Sequence, residues 1–174
     1  MSGMRRKEKE ITEKVIQEEI LRQAEVGRLG TAIDGLPYIV PINFCYVEDM
    51  IYLHSFRDGK KIRGIQSNPR VCFEVDEGEI ITGEDPCAYS WRYTSVVANG
   101  NATIVEDEDE RLRGLRLISD KYSPGKGKMI TPETMEKNKH LWIIRIDIDE
   151  MTGKKSPAYE LSILSSVILA KKLG

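Results

Sequence analysis

Short runs of apolar residues, broken by tight polar turns, occupy most of the chain and predict an antiparallel sheet. The runs are rich in β-branched and aromatic residues, and turns such as Gly35-Leu36-Pro37 and Glu48-Asp49 separate them. This combination is typical of consecutive antiparallel strands. Strands are predicted at 29–34 (LGTAID), 38–47 (YIVPINFCYV), 50–55 (MIYLHS), 71–76 (VCFEVD), 89–107 (YSWRYTSVVANGNATIVED, with a bend near Asn99-Gly100) and 140–149 (HLWIIRIDID).

Other segments carry the spacing or the end signals of helices. Residues 8–27 repeat apolar side chains on one helical face until Gly27, which predicts an amphipathic helix with a glycine end. Asn68-Pro69 should end a brief helix that begins at Lys60, because proline disfavours helical geometry in the residue before it. Further helices are predicted at 108–122, from Thr131-Pro132-Glu133 onward, and at 156–173.

The order of these elements predicts an α+β fold around a closed antiparallel sheet of about six strands, with peripheral helices. A chain of 174 residues fits one domain. We therefore expect a single domain over 1–174, with an N-terminal helix at 8–27, a core at 28–150 and a C-terminal extension at 151–174.

Composition and charge exclude several classes of protein. The net charge of −2 gives no bulk attraction to nucleic acid or to an anionic membrane. No apolar run reaches membrane-spanning length, and the first ten residues are charged. Cys45, Cys72 and Cys87 have no C-x-x-C spacing, which favours a reducing, cytoplasmic location over a disulfide or zinc framework. Cys45 and Cys72 fall within predicted strands and are expected to be core thiols.

The stretch HSFRDGKK, at 54–61, suggests an anion site. Ser55 ends a predicted strand, while Lys60 and Lys61 begin a predicted helix whose first backbone N–H groups lack internal partners. A phosphate there would meet the positive helix end, a hydroxyl and two ammonium groups, and Gly59 would permit close approach of the backbone. The alternative is a solvated turn.

Four short motifs occur in an order that is similar to a known family. They are V-P-x-N-F at 40–44, H-S at 54–55, G-K-K leading to N-P-x-V-x-F at 59–73, and Y-x-S-V-x-x-x-G at 93–100. Residues from about 25 to 150 thereby resemble the pyridoxamine-phosphate-oxidase-like, flavin-binding split β-barrel proteins, in particular the nitroimidazole-reductase-like branch. The resemblance implies a split β-barrel that forms a homodimer, with flavin mononucleotide (FMN) in two clefts between subunits. Flavin adenine dinucleotide (FAD) is the alternative cofactor.

The resemblance also implies roles for individual residues. The segment that holds the phosphate matches Ser55, Lys60 and Lys61, although many relatives have arginine at the position of Lys60. The strand along the isoalloxazine ring matches Pro41, Ile42 and Asn43. A further strand that touches the flavin in the family matches Ser95 and Val96. A residue that faces the cofactor cleft in the family matches His54. Core packing is the alternative for Ile42 and Val96.

The implied activity is that of an FMN-dependent oxidoreductase acting on a small organic molecule, with a nitroaromatic compound as one candidate. His54 is the candidate catalytic residue, as a proton donor or a substrate-positioning group; the alternative is a packed imidazole. The rival function is a flavin-binding or flavin-carrying module without turnover. The family's R-x-H substrate motif has no match in the last predicted strand, so oxidation of pyridoxamine phosphate is not expected. Two separated histidines, His54 and His140, do not predict a metal site.

Overall fold

The computed structural model describes residues 4–157. Within them the chain forms eight strands, four α-helices and two short 3-10 helices at Lys7–Lys9 and Gly127–Met129. The elements are β1 Glu10–Ile11, α1 Lys14–Gln23, β2 Gly27–Ile33, β3 Leu36–Ile42, β4 Phe44–Val47, β5 Met50–Phe56, α2 Lys60–Ser67, β6 Arg70–Ile81, β7 Ser90–Ile104, α3 Glu108–Tyr122, α4 Pro132–Lys137 and β8 Leu141–Lys155. From position 158 onward, the helix predicted at 156–173 lies outside the described residues.

The strands hydrogen-bond in the order β3-β2-β6-β7-β8-β5-β4, and β1 pairs with β8. This confirms the predicted antiparallel α+β class, with eight strands among the described residues instead of about six. The two additional strands have separate causes. The run predicted at 38–47 divides at Asn43 into β3 and β4, and Glu10 and Ile11 pair with Lys154 and Gly153.

The described residues form two compact units. The larger comprises 25–73 and 98–150. Its core contains the fully buried Leu29, Ile51, Leu53, Ile144 and Ile146. The rings of Phe44 and Phe73 meet edge to face there, with centroids 4.8 Å apart, an arrangement that aromatic pairs prefer.

The smaller unit comprises 4–24, 74–97 and 151–157 of the described residues. Its first helix is fixed to β1 by a buried hydrogen bond in which Gln17 Nε2 donates to the Ile11 carbonyl at 2.7 Å. A side chain at Gly153 would lie 2.8 Å from the Ile11 Cβ. The tight contact between β1 and β8 therefore requires a residue without a Cβ at this position.

Several predicted boundaries are wrong, and the last predicted strand, 140–149, continues as β8 to Lys155. The N-terminal helix covers only Lys14–Gln23, not 8–27, because Glu10 and Ile11 are taken up by a strand pair. Gly27 does not end the helix; it begins β2, paired with Ile42, where any side chain would collide with the Phe73 ring. The predicted strand at 71–76 continues as β6 to Ile81. The helices predicted at 60–67 and 108–122 are confirmed as α2 and α3.

The prediction for the cysteines is only partly right. Cys45 is half-buried on β4, but Cys72 is exposed and is not a core thiol. It alternates along β6 with Val71 and Phe73, whose buried side chains occupy the other face. No α-helix within residues 4–157 is long and apolar enough to cross a membrane.

Candidate functional site

The beginning of α2 carries unpaired backbone donors. The first helical hydrogen bond runs from the Arg63 N–H to the Gly59 carbonyl at 3.1 Å, so the N–H groups of Lys60, Lys61 and Ile62 have no partner inside the helix. No side chain caps this end, and Gly59 precedes it with a φ of 140°. Such an end carries partial positive charge and is a ready anion site.

The Asp58 carboxylate occupies the neighbouring turn. It accepts a hydrogen bond from the Gly59 N–H at 2.9 Å and lies 3.3 Å from an Arg63 nitrogen. Because the Asp58 side chain is 97% exposed, water screens most of its charge. Its contacts leave the N–H groups of the first helical turn open.

Helix α2 is fixed against the β2–β3 hairpin of the same unit. A Cβ at Gly64 would lie 2.8 Å from the Thr31 hydroxyl oxygen, so only glycine permits this approach. Thr31 is paired with Tyr38 on β3, and the Lys60 ammonium lies 4.8 Å from the centre of the Tyr38 ring. This is a cation–π contact. Sequence reasoning missed Tyr38, because only the packing of α2 on β3 brings it under Lys60.

The three predicted residues on and after β3 differ in exposure. Pro41 and Asn43 are exposed, whereas Ile42 is half-buried. Since strand side chains alternate between faces, Ile42 shares a face with Tyr38 and therefore with Lys60. The structure thus brings Ile42 and Lys60 to one side of the hairpin, with Pro41 on the other.

His54 and Ser55 point to opposite faces of β5, as neighbours on a strand do. Ser55 is buried, at 4% exposure, and its hydroxyl donates to the Phe56 carbonyl at 2.9 Å. To donate to a phosphate, the Ser55 hydroxyl would have to release this carbonyl.

The half-buried His54 has an enclosed Nδ1 atom with no hydrogen-bond partner among the described residues. Burial, and then the positive charge of Lys61, lower the pKa of His54 below 6.5. His54 is therefore neutral at pH 7, with an unsatisfied ring nitrogen. The charge of Lys61 therefore acts on the His54 ring.

We expect the pKa of His54, followed by NMR of its ring protons, to lie below 6.5 and to rise in Lys61→Gln. His140→Gln assigns the signals, since the chain has two histidines. The folded-state pKa is lowered, so the unfolded chain binds the proton more readily. The free energy of unfolding should therefore decrease as the pH drops through about 6.5. In His54→Gln the contribution of this histidine to the decrease should be absent. A pKa of His54 above 6.5 would contradict the description of its surroundings.

Ser95 and Val96 lie on the part of β7 that belongs to the smaller unit. Val96 is fully buried and Ser95 is half-buried. Their contact with a flavin stays a prediction.

Two cavities of the larger unit lie away from the predicted residues. One, of about 100 Å³, is enclosed by α3 and α4 and includes Leu112 and Met135. The other, of about 310 Å³, is lined by Arg57 and Trp142 among others. Neither includes Pro41, His54 or Lys61.

Comparison with known proteins gives a match over most of the chain. The family model described as pyridoxamine 5'-phosphate oxidase matches residues 16–155. This range contains every residue that the motifs single out.

Solved structures agree with this match. A candidate 5-nitroimidazole antibiotic resistance protein from Bacteroides thetaiotaomicron is 29% identical, with a TM-score of 0.69 over 83% of this chain and 85% of that one. An FAD-binding protein from Mesorhizobium loti is 27% identical, with a TM-score of 0.57 over 83% and 95% of the two chains. The FAD and heme binding protein from Mycobacterium smegmatis shares the fold, at 18% identity and a TM-score of 0.77 over 92% and 80%.

Proposed function

The chain belongs to the pyridoxamine 5'-phosphate oxidase family, and from this premise we propose that it binds a flavin and acts as a flavin-dependent oxidoreductase. One observation carries the proposal. The open N-terminal end of α2 presents Lys60 and Lys61, and the charge of Lys61 acts on His54. The similarity to an FAD-binding protein at 27% identity supports the same cofactor class.

The described residues fit a phosphate-bearing flavin. The N–H groups at the start of α2, together with Lys60 and Lys61, would hold the phosphate through charge-assisted hydrogen bonds. Ser55 would join them once its hydroxyl turned from the Phe56 carbonyl. FMN is the preferred cofactor because its single phosphate would use all these donors; FAD could place its inner phosphate there.

The isoalloxazine ring would use groups that are open in the single chain. Asn43 is exposed, so its side-chain amide could meet the polar edge of the ring. Pro41 and Ile42 would lie along the ring, whereas the flavin contacts of Ser95 and Val96 rest on the sequence motif alone. The enclosed Nδ1 of His54 would gain a hydrogen-bond partner from the cofactor or the substrate, and this would relieve its unsatisfied state.

The bound flavin would supply the electron transfer, while the protein sets orientation and electrostatics. His54 is neutral at pH 7, and it can donate or accept a hydrogen bond toward a substrate. A small organic electron acceptor, such as a nitroaromatic compound, is the proposed substrate, supported by the similarity to a candidate 5-nitroimidazole resistance protein. A flavin-binding module without turnover is the second candidate, since His54 is the one predicted catalytic group.

Anaerobic reduction separates the two functions. The purified chain is loaded with FMN, reduced by nicotinamides without oxygen, and mixed with a panel of acceptors. An oxidoreductase is reduced by one donor and is rapidly reoxidised by one class of acceptor. A carrier binds FMN but shows neither donor-specific reduction nor acceptor-dependent reoxidation.

We propose that the functional unit is a two-fold dimer. Leu36 and Ile39 on β3 are 69% and 66% exposed, and β3 is at an end of the strand order. Exposed apolar side chains on an end strand favour pairing with a second copy. Light scattering at micromolar concentration should give twice the chain mass of 19.8 kDa. Ile39→Lys should shift the mass toward the monomer, whereas a monomeric wild-type chain would count against the dimer.

A further inference from the structure

The cavity of about 310 Å³ lies where several elements of the larger unit meet. It begins just past the end of β5 and reaches the last turn of α2, the end of β7, α3 and the start of β8. Its principal lining residues are Arg57, Gln66, Ile104, Glu106, Arg111 and Trp142. The volume is at the lower limit of small-molecule sites, which begin at about 300 Å³.

The walls of this cavity are held by two backbone hydrogen bonds and by one that uses part of the Arg111 guanidinium. The Arg57 N–H donates to the His140 carbonyl at 3.0 Å, and the Val105 N–H donates to the Ile143 carbonyl at 2.9 Å. Arg111 Nη2 donates to the Leu141 carbonyl at 3.3 Å. The site is thus largely preformed, which lowers the ordering cost of binding.

The charges in the cavity are not neutralised by neighbours. Arg57 and Arg111 form no ion pair with any carboxylate of residues 4–157, although Glu106 lines the same cavity. The Arg57 guanidinium lies 5.8 Å from the centre of the Trp142 ring, within cation–π range. Two guanidinium groups, one carboxylate and a flat indole therefore line one half-open cavity.

We propose that this cavity binds a small aromatic carboxylate that also carries an amino group. The carboxylate would accept hydrogen bonds from Arg57 and Arg111, whose planar forks match its geometry. The aromatic ring would pack against Trp142 and Ile104, and the amino group would donate to Glu106. Since Glu106 would repel a second negative charge, the site favours a monoanion over a phosphate ester.

This site goes beyond the proposed flavin function. None of the residues assigned to the flavin, from Pro41 to Val96, lines the cavity. The ligand would bind with or without a flavin, so binding can be tested separately from activity.

Calorimetry on the full chain with 4-aminobenzoate, benzoate and aniline tests the chemistry. The expected order of affinity is 4-aminobenzoate, then benzoate, with no binding of aniline, which lacks the carboxylate. Trp142 reports the location, because Trp91→Phe leaves it as the one tryptophan. Titration with benzoate should change the fluorescence of Trp142, with the same midpoint concentration as the calorimetric titration. The affinity for FMN should be unchanged when benzoate is saturating.

Substitutions identify the groups. Arg57→Gln and Arg111→Gln should each weaken benzoate binding by about tenfold, the usual size of one charge-assisted contact. The matched control is Arg63→Gln, which removes an arginine that pairs with Asp58 outside the cavity. Glu106→Gln should tighten benzoate binding several-fold and abolish the preference for 4-aminobenzoate. A misfolded variant cannot produce such a gain.

The proposal would be overturned by any of three results. The first is the absence of both binding heat and a Trp142 fluorescence change with millimolar benzoate or 4-aminobenzoate. The second is equal benzoate affinity in Arg57→Gln and Arg63→Gln. The third is displacement of benzoate by FMN. The last result would assign the ligand to the flavin site.

Discussion

Lys61→Ala is expected to weaken FMN binding by one to two orders of magnitude. A charge-assisted contact to a phosphate contributes about 1.5–3 kcal/mol, and about 1.4 kcal/mol corresponds to a tenfold change in Kd. Lys61 is half-buried at the open end of α2, where the N–H groups of the first turn add to its charge. Fluorescence titration of the flavin-free chain with FMN measures the loss.

Two comparisons assign that loss to the phosphate. Riboflavin, which lacks the phosphate, should bind weakly to the wild type and equally weakly to Lys61→Ala. Lys137→Ala removes an exposed lysine of α4 and should leave FMN affinity unchanged. Lys60→Ala should have a smaller effect than Lys61→Ala, because Lys60 is exposed and held over Tyr38. Equal affinity of the wild type for riboflavin and FMN would show that α2 does not bind the phosphate.

The sequence predicts helix α2, which carries Lys60 and Lys61, well because its signals are local. Gly59 and Pro69 bracket α2 within a few residues, and α2 has the predicted bounds. The alternation of a strand also places His54 and Ser55 on opposite faces of β5 without any tertiary information. The hydrogen bond from the buried Ser55 hydroxyl to the Phe56 carbonyl is also local. The sequence did not predict it, because the same hydroxyl could equally have donated to an anion.

Features that depend on distant pairings were not predictable. Helical periodicity at 8–27 is real, yet the pairing of Glu10 and Ile11 with the end of β8 overrides its first part. Residues far apart in the chain likewise form the cavity around Arg57 and Trp142. No local pattern marks Arg57 as different from Arg63. Only the fold separates the arginine over the indole from the one paired with Asp58.

His54→Gln is expected to slow reoxidation of the reduced flavin by its acceptor by about 10²–10⁴-fold, the usual contribution of a positioned acid or base. FMN should remain bound, since His54 is not among the proposed phosphate groups. His140→Gln, which removes the exposed histidine stacked on Phe56, should keep the wild-type rate. Stopped-flow absorbance of the flavin under anaerobic conditions provides the measurement.

The pH dependence identifies the role of His54. Because burial and Lys61 lower its pKa below 6.5, the imidazolium form is scarce at pH 7 and becomes common only as the pH falls through that lowered pKa. If His54 donates the proton, the reoxidation rate of the wild type should increase as the pH falls through this pKa. In Lys61→Gln the same increase should occur at higher pH. If a neutral His54 only positions the substrate, the reoxidation rate should not change between pH 6.5 and 8. The rate should still fall by the same factor in His54→Gln. A wild-type rate in His54→Gln would remove His54 from the chemistry and favour the flavin-binding module.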